Sequence, residues 1–201
     1  MRQRPVVIVF AKAPRLGAVK SRLARDIGPV AAWRFQRDTG RALVQRLAGE
    51  PRWHLVLAVT PDLYQDRGRF WPAGITRLAQ GDGDLGRRMA RALDRFLPAP
   101  VVLVGSDIPT IGASHIHRAF RILAANSAVF GPAADGGYWL VGLRGRVDTD
   151  RLFREVRWSS PHALADTLRN LGPGQHAGLA DELGDVDCGS DFDRWREGRR
   201  G

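Results

Sequence analysis

Short apolar segments alternate with longer amphipathic segments along this chain. Val6–Ala11 and Val101–Gly105 are continuous apolar runs, which is typical of strands that are buried on both faces of a sheet. Pro29–Leu47 repeats its apolar residues at near-helical spacing, and Gly49 follows as a stop signal. The other predicted strands are His54–Thr60, Ile75–Leu78, Ala128–Gly131 and Tyr138–Leu143. The other predicted helices are Gly86–Phe96, Ser114–Ala125 and Pro161–Leu171.

This alternation predicts an α/β sandwich built around a mostly parallel sheet. The chain has neither an internal repeat nor a low-complexity linker, so we expect one domain over residues 1–201. Ser114 is the predicted N-cap of its helix. In sheets of this kind, ligands bind beyond the carboxyl ends of the strands.

The composition fits a cytoplasmic globular protein. Hydrophobic residues make up 44% of the 201 residues, which is an ordinary globular value. No stretch reaches membrane-spanning length, and Val6–Ala11 is too short for the apolar part of a signal peptide. The single cysteine, Cys188, excludes an intramolecular disulfide and so fits a reducing compartment. We therefore expect a cytoplasmic protein with no membrane partner.

The net charge of +10 raises the question of nucleic acid binding. The arginines are, however, spread along the chain among acidic residues, and no zinc-finger or RNA-recognition signature is present. A positive surface also attracts small phosphorylated substrates. We therefore expect no nucleic acid partner, and a non-catalytic nucleotide- or nucleic-acid-binding module is the weakest of our hypotheses.

A basic loop follows the first predicted strand. Of the 31 lysines and arginines, only Lys12 and Lys20 are lysines, and both lie in this loop with Arg15 and Arg22. Lysine is a compact point charge that arginine does not replace freely. A glycine-containing loop with four cations favours phosphate binding, and the alternative is a solvated basic turn.

Acidic residues follow two other segments. Asp107 comes directly after Val101–Gly105, where it is either a Mg²⁺ or Mn²⁺ ligand or a cap of the turn at Ile108–Ile111. Asp187 lies in an acidic turn before a C-terminal helical segment, and it or Asp185 is the candidate second metal ligand.

Two glycine-rich segments are the remaining candidates. The main chain of Gln80–Met89 can read a nucleobase edge, or it forms an acidic turn with Asp84 at a helix start. Gly131–Gly142 contains Asp-Gly-Gly, which allows close approach of a ligand but is also an ordinary hairpin signal. Tyr138 and Trp139 offer a stacking or hydroxyl contact, although one of the two must point into the core. Trp158 either lines an acceptor pocket or packs in the core.

Together these motifs resemble a known group of proteins. In order, the chain contains FAKAPRLGAVKSRL, QGDGDLGRRM, GSDIP, GPAADGGYWLVG and ELGDVD. The set resembles an uncharacterised bacterial family of GT-A-like transferases in the nucleotide-diphospho-sugar transferase superfamily, over about residues 5 to 195. It is also similar to 2-phospho-lactate guanylyltransferase. The resemblance implies a GT-A fold, which is a three-layer sandwich, a nucleotide bound with Mg²⁺ or Mn²⁺, and a small-molecule acceptor.

The resemblance also implies roles for individual residues. The phosphate-binding loop is matched by Lys12, Lys20 and Arg22. The base-proximal loop is matched by Gln80, Leu85 and Gly86. The substrate-side turn is matched by Asp135, Gly136 and Gly137. Asp107 and Asp187 match the metal aspartates. Ser21 replaces the usual threonine, and Cys188-Gly189 replaces Thr-Pro, which loosens the turn beside Asp187.

These assignments lead to two enzymatic hypotheses. In the first, an acceptor attacks the α-phosphorus of a nucleoside triphosphate and pyrophosphate leaves, with Lys20, Asp107 and Asp135 as catalytic residues. In-line positioning and cations supply most of such catalysis. In the second, a glycosyltransferase binds a nucleotide-sugar at the same residues. The base, the sugar, the acceptor and the oligomeric state stay open.

Overall fold

The computed structural model describes residues 4–67 and 70–198, so both ends of the predicted 1–201 domain lie outside the described residues. In these ranges the strands are β1 (Val6–Lys12), β2 (His54–Thr60), β3 (Thr76–Ala79), β4 (Val101–Gly105), β5 (Ala128–Pro132), β6 (Tyr138–Leu143) and β7 (Ala177–Leu179). The helices are α1 (Ser21–Ile27), α2 (Pro29–Ala48), α3 (Leu85–Asp94), α4 (Ala113–Leu123), α5 (Thr149–Leu152), α6 (Ala163–Arg169) and α7 (Gly189–Glu197).

The strands of the described ranges form one sheet in the order β3-β2-β1-β4-β6-β5-β7. The two continuous apolar runs are parallel neighbours, because β1 pairs with β4 from Val6↔Val101 to Phe10↔Gly105. Within this sheet β6 runs antiparallel to both β4 and β5, and the other pairings are parallel. The predicted mostly parallel α/β fold is therefore confirmed.

The side chains of the central strands alternate between two cores, which gives the sandwich its three layers. On one face, Val7 and Val9 of β1 pack with apolar residues of α2 and α4. On the other face, Val6 and Ile8 pack with α3 and α5. A third, smaller cluster joins α1, α2 and the segment before α7 through Leu23, Phe35 and Val186.

The predicted elements that carry long apolar patterns are all present, with ends that differ by at most two residues. One cap differs: α4 begins after Gly112 and not after Ser114, and the backbone N–H of Gly112 donates to Nδ1 of His115. The elements that the sequence pattern does not predict are short, namely α1, α5, β7 and a 3-10 helix at Asp62–Tyr64. In α1 only Leu23 is buried, so the sequence shows no apolar stripe there. None of the described helices has the length and apolar character of a membrane span.

Candidate functional site

A cleft of about 520 Å³ lies at the carboxyl ends of β1 and β4. Its floor includes Phe10, Ala11 and Lys12 at the end of β1, and Gly105, Ser106 and Asp107 at the end of β4. The sheet neighbour of β1 is β2 on one side and β4 on the other, so the crossovers leave this point in opposite directions. Such a reversal opens a crevice that commonly binds ligands in α/β sheets.

Three carboxylates converge at this cleft. Asp107 follows β4, and Asp185 and Asp187 precede α7. One oxygen from each of the three lies within 4.8 Å of the others. The sequence predicts Asp107 and Asp187 as metal ligands, with Asp185 as the alternative to Asp187, and the structure brings all three together. We call these three residues the acidic triad.

The Lys20 ammonium lies within the acidic triad. Its Nζ is 2.7 Å from Oδ1 of Asp187, 3.0 Å from Oδ2 of Asp107 and 4.0 Å from Oδ2 of Asp185. The Lys20 side chain is only 6% exposed. Burial alone lowers the pKa of Lys20, but Asp107 and Asp187 outweigh it, so the pKa is raised above its ordinary value. The group is a fixed positive charge.

The same crowding acts on Asp185. Burial raises the pKa of this carboxyl, the Lys20 ammonium opposes the rise, and the negative charges of Asp187, Asp107 and Asp135 add to it. The triad therefore has more negative charge than the single lysine compensates. A divalent cation would stabilise such a cluster of carboxylates.

The C-terminal segment is fixed to α1, and this places Lys20 against the triad. Val186 is buried beside Leu23, between the two aspartates that flank it in sequence. The carboxylate of Asp191 accepts from the backbone N–H groups of Asp187 and Cys188, and that of Asp26 accepts from Gly189. Burial raises the pKa of Asp191, but hydrogen bonds from the Cys188 thiol, from these two backbone N–H groups and from Arg194 lower it to about 2. The Cys188-Gly189 turn is thus well anchored without the Thr-Pro of the related motif.

Cationic side chains line the rest of the cleft. Lys12 and Arg22 belong to the predicted phosphate loop, and Arg22 also lies 3.4 Å from Asp187. Arg15 is exposed and is not a lining residue. Arg88 of α3 is a lining residue that sequence reasoning missed, since nothing in the Arg87-Arg88 pair tells which side chain faces the cleft.

The base-proximal residues separate into two groups. Gln80 and Leu85 line the cleft, whereas Gly86 lies against the aromatic packing behind it. A Cβ at Gly86 would lie 2.8 Å from Cζ2 of Trp158 and 2.9 Å from Cβ of Phe153. Gly86 therefore allows α3 to approach Trp158. Asp84 caps α3, because its carboxylate accepts from the backbone N–H of Arg87.

The predicted substrate-side residues lie mostly in packed surroundings beside the cleft. Tyr138 stacks edge-on with Phe130 and Trp158, its hydroxyl lies 3.4 Å from that of Thr167, and burial raises the pKa of Tyr138.

Gly136 has a φ of 81° and packs tightly on Pro161, while the Asp135 carboxylate accepts from the backbone N–H of Gly137. Of the five predicted residues Asp135, Gly136, Gly137, Tyr138 and Trp158, none lines the cleft. Only Asp135 acts electrostatically on the triad, through Asp185.

The fold and the position of the cleft define a nucleotide-diphospho-sugar transferase-like α/β protein. A structure from Desulfovibrio desulfuricans G20, described as a "putative nucleotide-diphospho-sugar transferase", is 26% identical with a TM-score of 0.84, covering 100% of this chain and 89% of that one. The chain belongs to the family described as "Uncharacterized protein conserved in bacteria (DUF2064)", which matches residues 43–160. No curated protein matches it.

Two less similar structures share the fold. Rv0371c from Mycobacterium tuberculosis H37Rv, in complex with manganese, is 17% identical with a TM-score of 0.54, covering 97% of this chain and 99% of that one. CMP:2-keto-3-deoxy-manno-octonic acid synthetase, complexed with CTP, is 12% identical with a TM-score of 0.57, covering 98% and 99%. At these identities the likeness concerns the fold alone.

Proposed function

We propose that this protein is a metal-dependent nucleotidyltransferase that acts on a nucleoside triphosphate and a small phosphorylated or hydroxyl acceptor. The observation that carries the proposal is the acidic triad, which shares one cleft with Lys12, Arg22 and Arg88. Three carboxylates without a metal ion would repel a triphosphate, and a site that bound phosphate through lysine and arginine alone would not require three converging aspartates. A nucleotide bound together with a divalent cation satisfies both.

The donor set of the triad suits a hard cation. Asp107, Asp185 and Asp187 offer carboxylate oxygens, which Mg²⁺ and Mn²⁺ prefer to nitrogen or sulfur. A bound cation would bring positive charge to the phosphate groups. The manganese complex of Rv0371c and the CTP complex of the synthetase, both of the same fold, support this proposal by analogy.

The residues of the chain would bind and orient the reactants. The oxygen of the acceptor would attack the α-phosphorus, and its bond to phosphorus would form as the bond from phosphorus to the bridging oxygen breaks. Pyrophosphate would leave with the electron pair, and a hydroxyl acceptor would release its proton to water. Lys12 and Arg22 would bind the distal phosphates. Asp135, which lies outside the cleft lining but acts electrostatically on Asp185, would orient the acceptor beside the cleft. Lys20 would join them if the divalent cation took over its carboxylate partners. Positioning and charge compensation are the main requirements of phosphoryl chemistry.

Glycosyl transfer is the second candidate, favoured by the description of the 26% identical structure. A nucleotide-sugar would bind the same triad, and the bond that breaks would lie between the sugar and the diphosphate. The acceptor would then replace the nucleoside diphosphate on the sugar.

An assay of the released product separates the two candidates. The protein is incubated with Mg²⁺ and mixed acceptors, either with the four nucleoside triphosphates or with nucleotide-sugars. We expect the wild type to release pyrophosphate from the triphosphates. Asp107→Asn should lose this activity. Asp38→Asn, which changes an exposed carboxylate on α2, should retain it. A nucleoside diphosphate released from nucleotide-sugars alone would identify a glycosyltransferase. A protein that binds neither donor contradicts both candidates.

A further inference from the structure

The side chain of Gln80 faces the protein and not the cleft solvent. It is 2% exposed, and its Nε2 donates to the carbonyl oxygens of Ala11 at 3.1 Å and Ala58 at 2.9 Å. Because carbonyl oxygens only accept, both amide hydrogens are used and the orientation of the amide is fixed. Its oxygen accepts from Nη1 of Arg88 at 3.0 Å. Gln80 therefore links the ends of β1 and β2 to one arginine.

Arg88 is oriented by neutral groups. Besides Gln80, its Nε donates to the backbone carbonyl of Asp84 at 3.4 Å, and its guanidinium lies 6.0 Å from the ring centre of Phe10. Within the described ranges, Arg88 forms an ion pair with no carboxylate. A guanidinium that is oriented at a cleft without a counter-charge is ready to bind an acceptor from solution.

The charges of the cleft divide into two sets. Lys20 and Arg22 contact the acidic triad, so part of their charge is already compensated. Lys12 and Arg88 line the same cleft and contact no carboxylate in the described part of the chain. A planar guanidinium can give two parallel hydrogen bonds to phosphate oxygens, which a lysine cannot.

We propose that Arg88, oriented by Gln80, binds a phosphate group of the nucleotide, and that Gln80 is a positioning residue and does not read the base. The proposal rests on the proposed function, because the ligand is a nucleotide. It goes further because it adds a phosphate contact from α3 to the contacts proposed for the Lys12–Arg22 loop, which is a separate segment of the chain. The base would then be recognised by other groups.

The test compares ligands with and without a base. Binding of nucleoside triphosphates and of inorganic triphosphate is measured by calorimetry with Mg²⁺ at fixed salt. We expect Arg88→Gln to weaken both by about tenfold or more, as for loss of a hydrogen bond to a charged group. Arg88→Lys should recover only part of the affinity. Arg87→Gln is the matched control, since it removes an exposed charge from the same helix and should change neither affinity.

Gln80 is tested through its effect on Arg88. We expect Gln80→Leu to weaken both ligands, and the double variant with Arg88→Gln to bind no more weakly than Arg88→Gln alone. Additive losses would contradict the positioning role. If Gln80→Leu does not fold, the Arg88 variants still decide the phosphate contact.

Three results overturn the proposal while leaving the proposed function intact. One is unchanged binding in Arg88→Gln, and another is a loss that depends on the base and spares inorganic triphosphate. The third is a wild type that binds nucleoside triphosphates but not inorganic triphosphate. A wild type that binds no nucleotide at all contradicts the proposed function itself.

Discussion

The Nζ atom of Lys20 lies 3.0 Å from Oδ2 of Asp107, although 87 residues separate them in the chain. The lysine comes from the loop after β1 and the aspartate from the end of β4, so the pair bridges the two strands at the cleft. The backbone of Lys20 is left-handed, with φ 47° and ψ 51°, which is uncommon for a residue with a side chain. Because the Lys20 ammonium contacts Asp107 and Asp187, a divalent cation bound to the triad would compete with it for the same carboxylates.

Removing this lysine should strengthen the binding of metal alone. In Lys20→Met the triad loses its internal cation, so we expect Mn²⁺ without nucleotide to bind about tenfold or more tightly, since unpaired carboxylates attract the ion. Titration of Mn²⁺ followed by electron paramagnetic resonance measures the affinity. Lys12→Met is the control, because Lys12 lines the cleft without contacting the triad. Weaker Mn²⁺ binding in Lys20→Met would show that lysine and metal do not compete.

Gly136 should be required for packing more than for chemistry. Its φ is 81°, and an added Cβ would lie 2.5 Å from Cα of Pro161. We expect Gly136→Ala to lower the free energy of unfolding by about 2–4 kcal/mol, from backbone strain together with overpacking. Gly145→Ala is the matched control, because Gly145 has a φ of 74° with open space around the added atom. Denaturant unfolding measures both variants. If the two lose the same free energy of unfolding, the contact with Pro161 is not the cause of the loss.

Asp166 should stabilise the fold in a pH-dependent way. Arg157 donates two hydrogen bonds of 2.8 Å to its carboxylate, and these bonds hold the pKa of Asp166 well below its usual range. A carboxyl whose pKa is lowered on folding contributes stability above its unfolded pKa of about 3.9 and loses it as the pH falls further. Asp166→Asn should therefore be less stable than wild type at pH 7.

The difference between Asp166→Asn and wild type should shrink progressively below about pH 4. Thermal unfolding across this range measures it. Asp38→Asn removes an exposed pair with Arg37 and should have little effect at any pH. A difference that stays constant with pH would mean that Asp166 acts by packing alone.

The sequence predicts the features that depend on long apolar runs, namely the buried strands, and the residues that follow the ends of those strands. Val6–Ala11 and Val101–Gly105 had to be buried on both faces, and the structure pairs them. Asp107 and Lys20 follow these strands and meet at their carboxyl ends, although their binding of metal or phosphate stays a prediction. The orientation of the Lys20 ammonium depends on α1 and on Asp187, which lies 167 residues further along the chain.

The positions that the sequence leaves undetermined depend on tertiary contacts. Arg87 and Arg88 are adjacent, and only the start of α3 after the Asp84 cap decides which of them faces the cleft. Tyr138 and Trp158 have the same local pattern whether they contact a ligand or pack together, and here they pack together. Gln80 follows a strand as expected, but its amide bonds two neighbouring strands, which no local pattern reveals.

Asp107 provides the most direct test of the metal-dependent nucleotide site. Wild type and Asp107→Asn are screened by thermal shift against nucleoside triphosphates with and without Mg²⁺. A nucleotide at a hundred times its dissociation constant should stabilise wild type by about 2.7 kcal/mol, and only with Mg²⁺. We expect Asp107→Asn to fold normally and to lose this Mg²⁺-dependent stabilisation, while Asp38→Asn retains it. An Asp107→Asn protein with the same Mg²⁺-dependent shift as wild type would contradict the account.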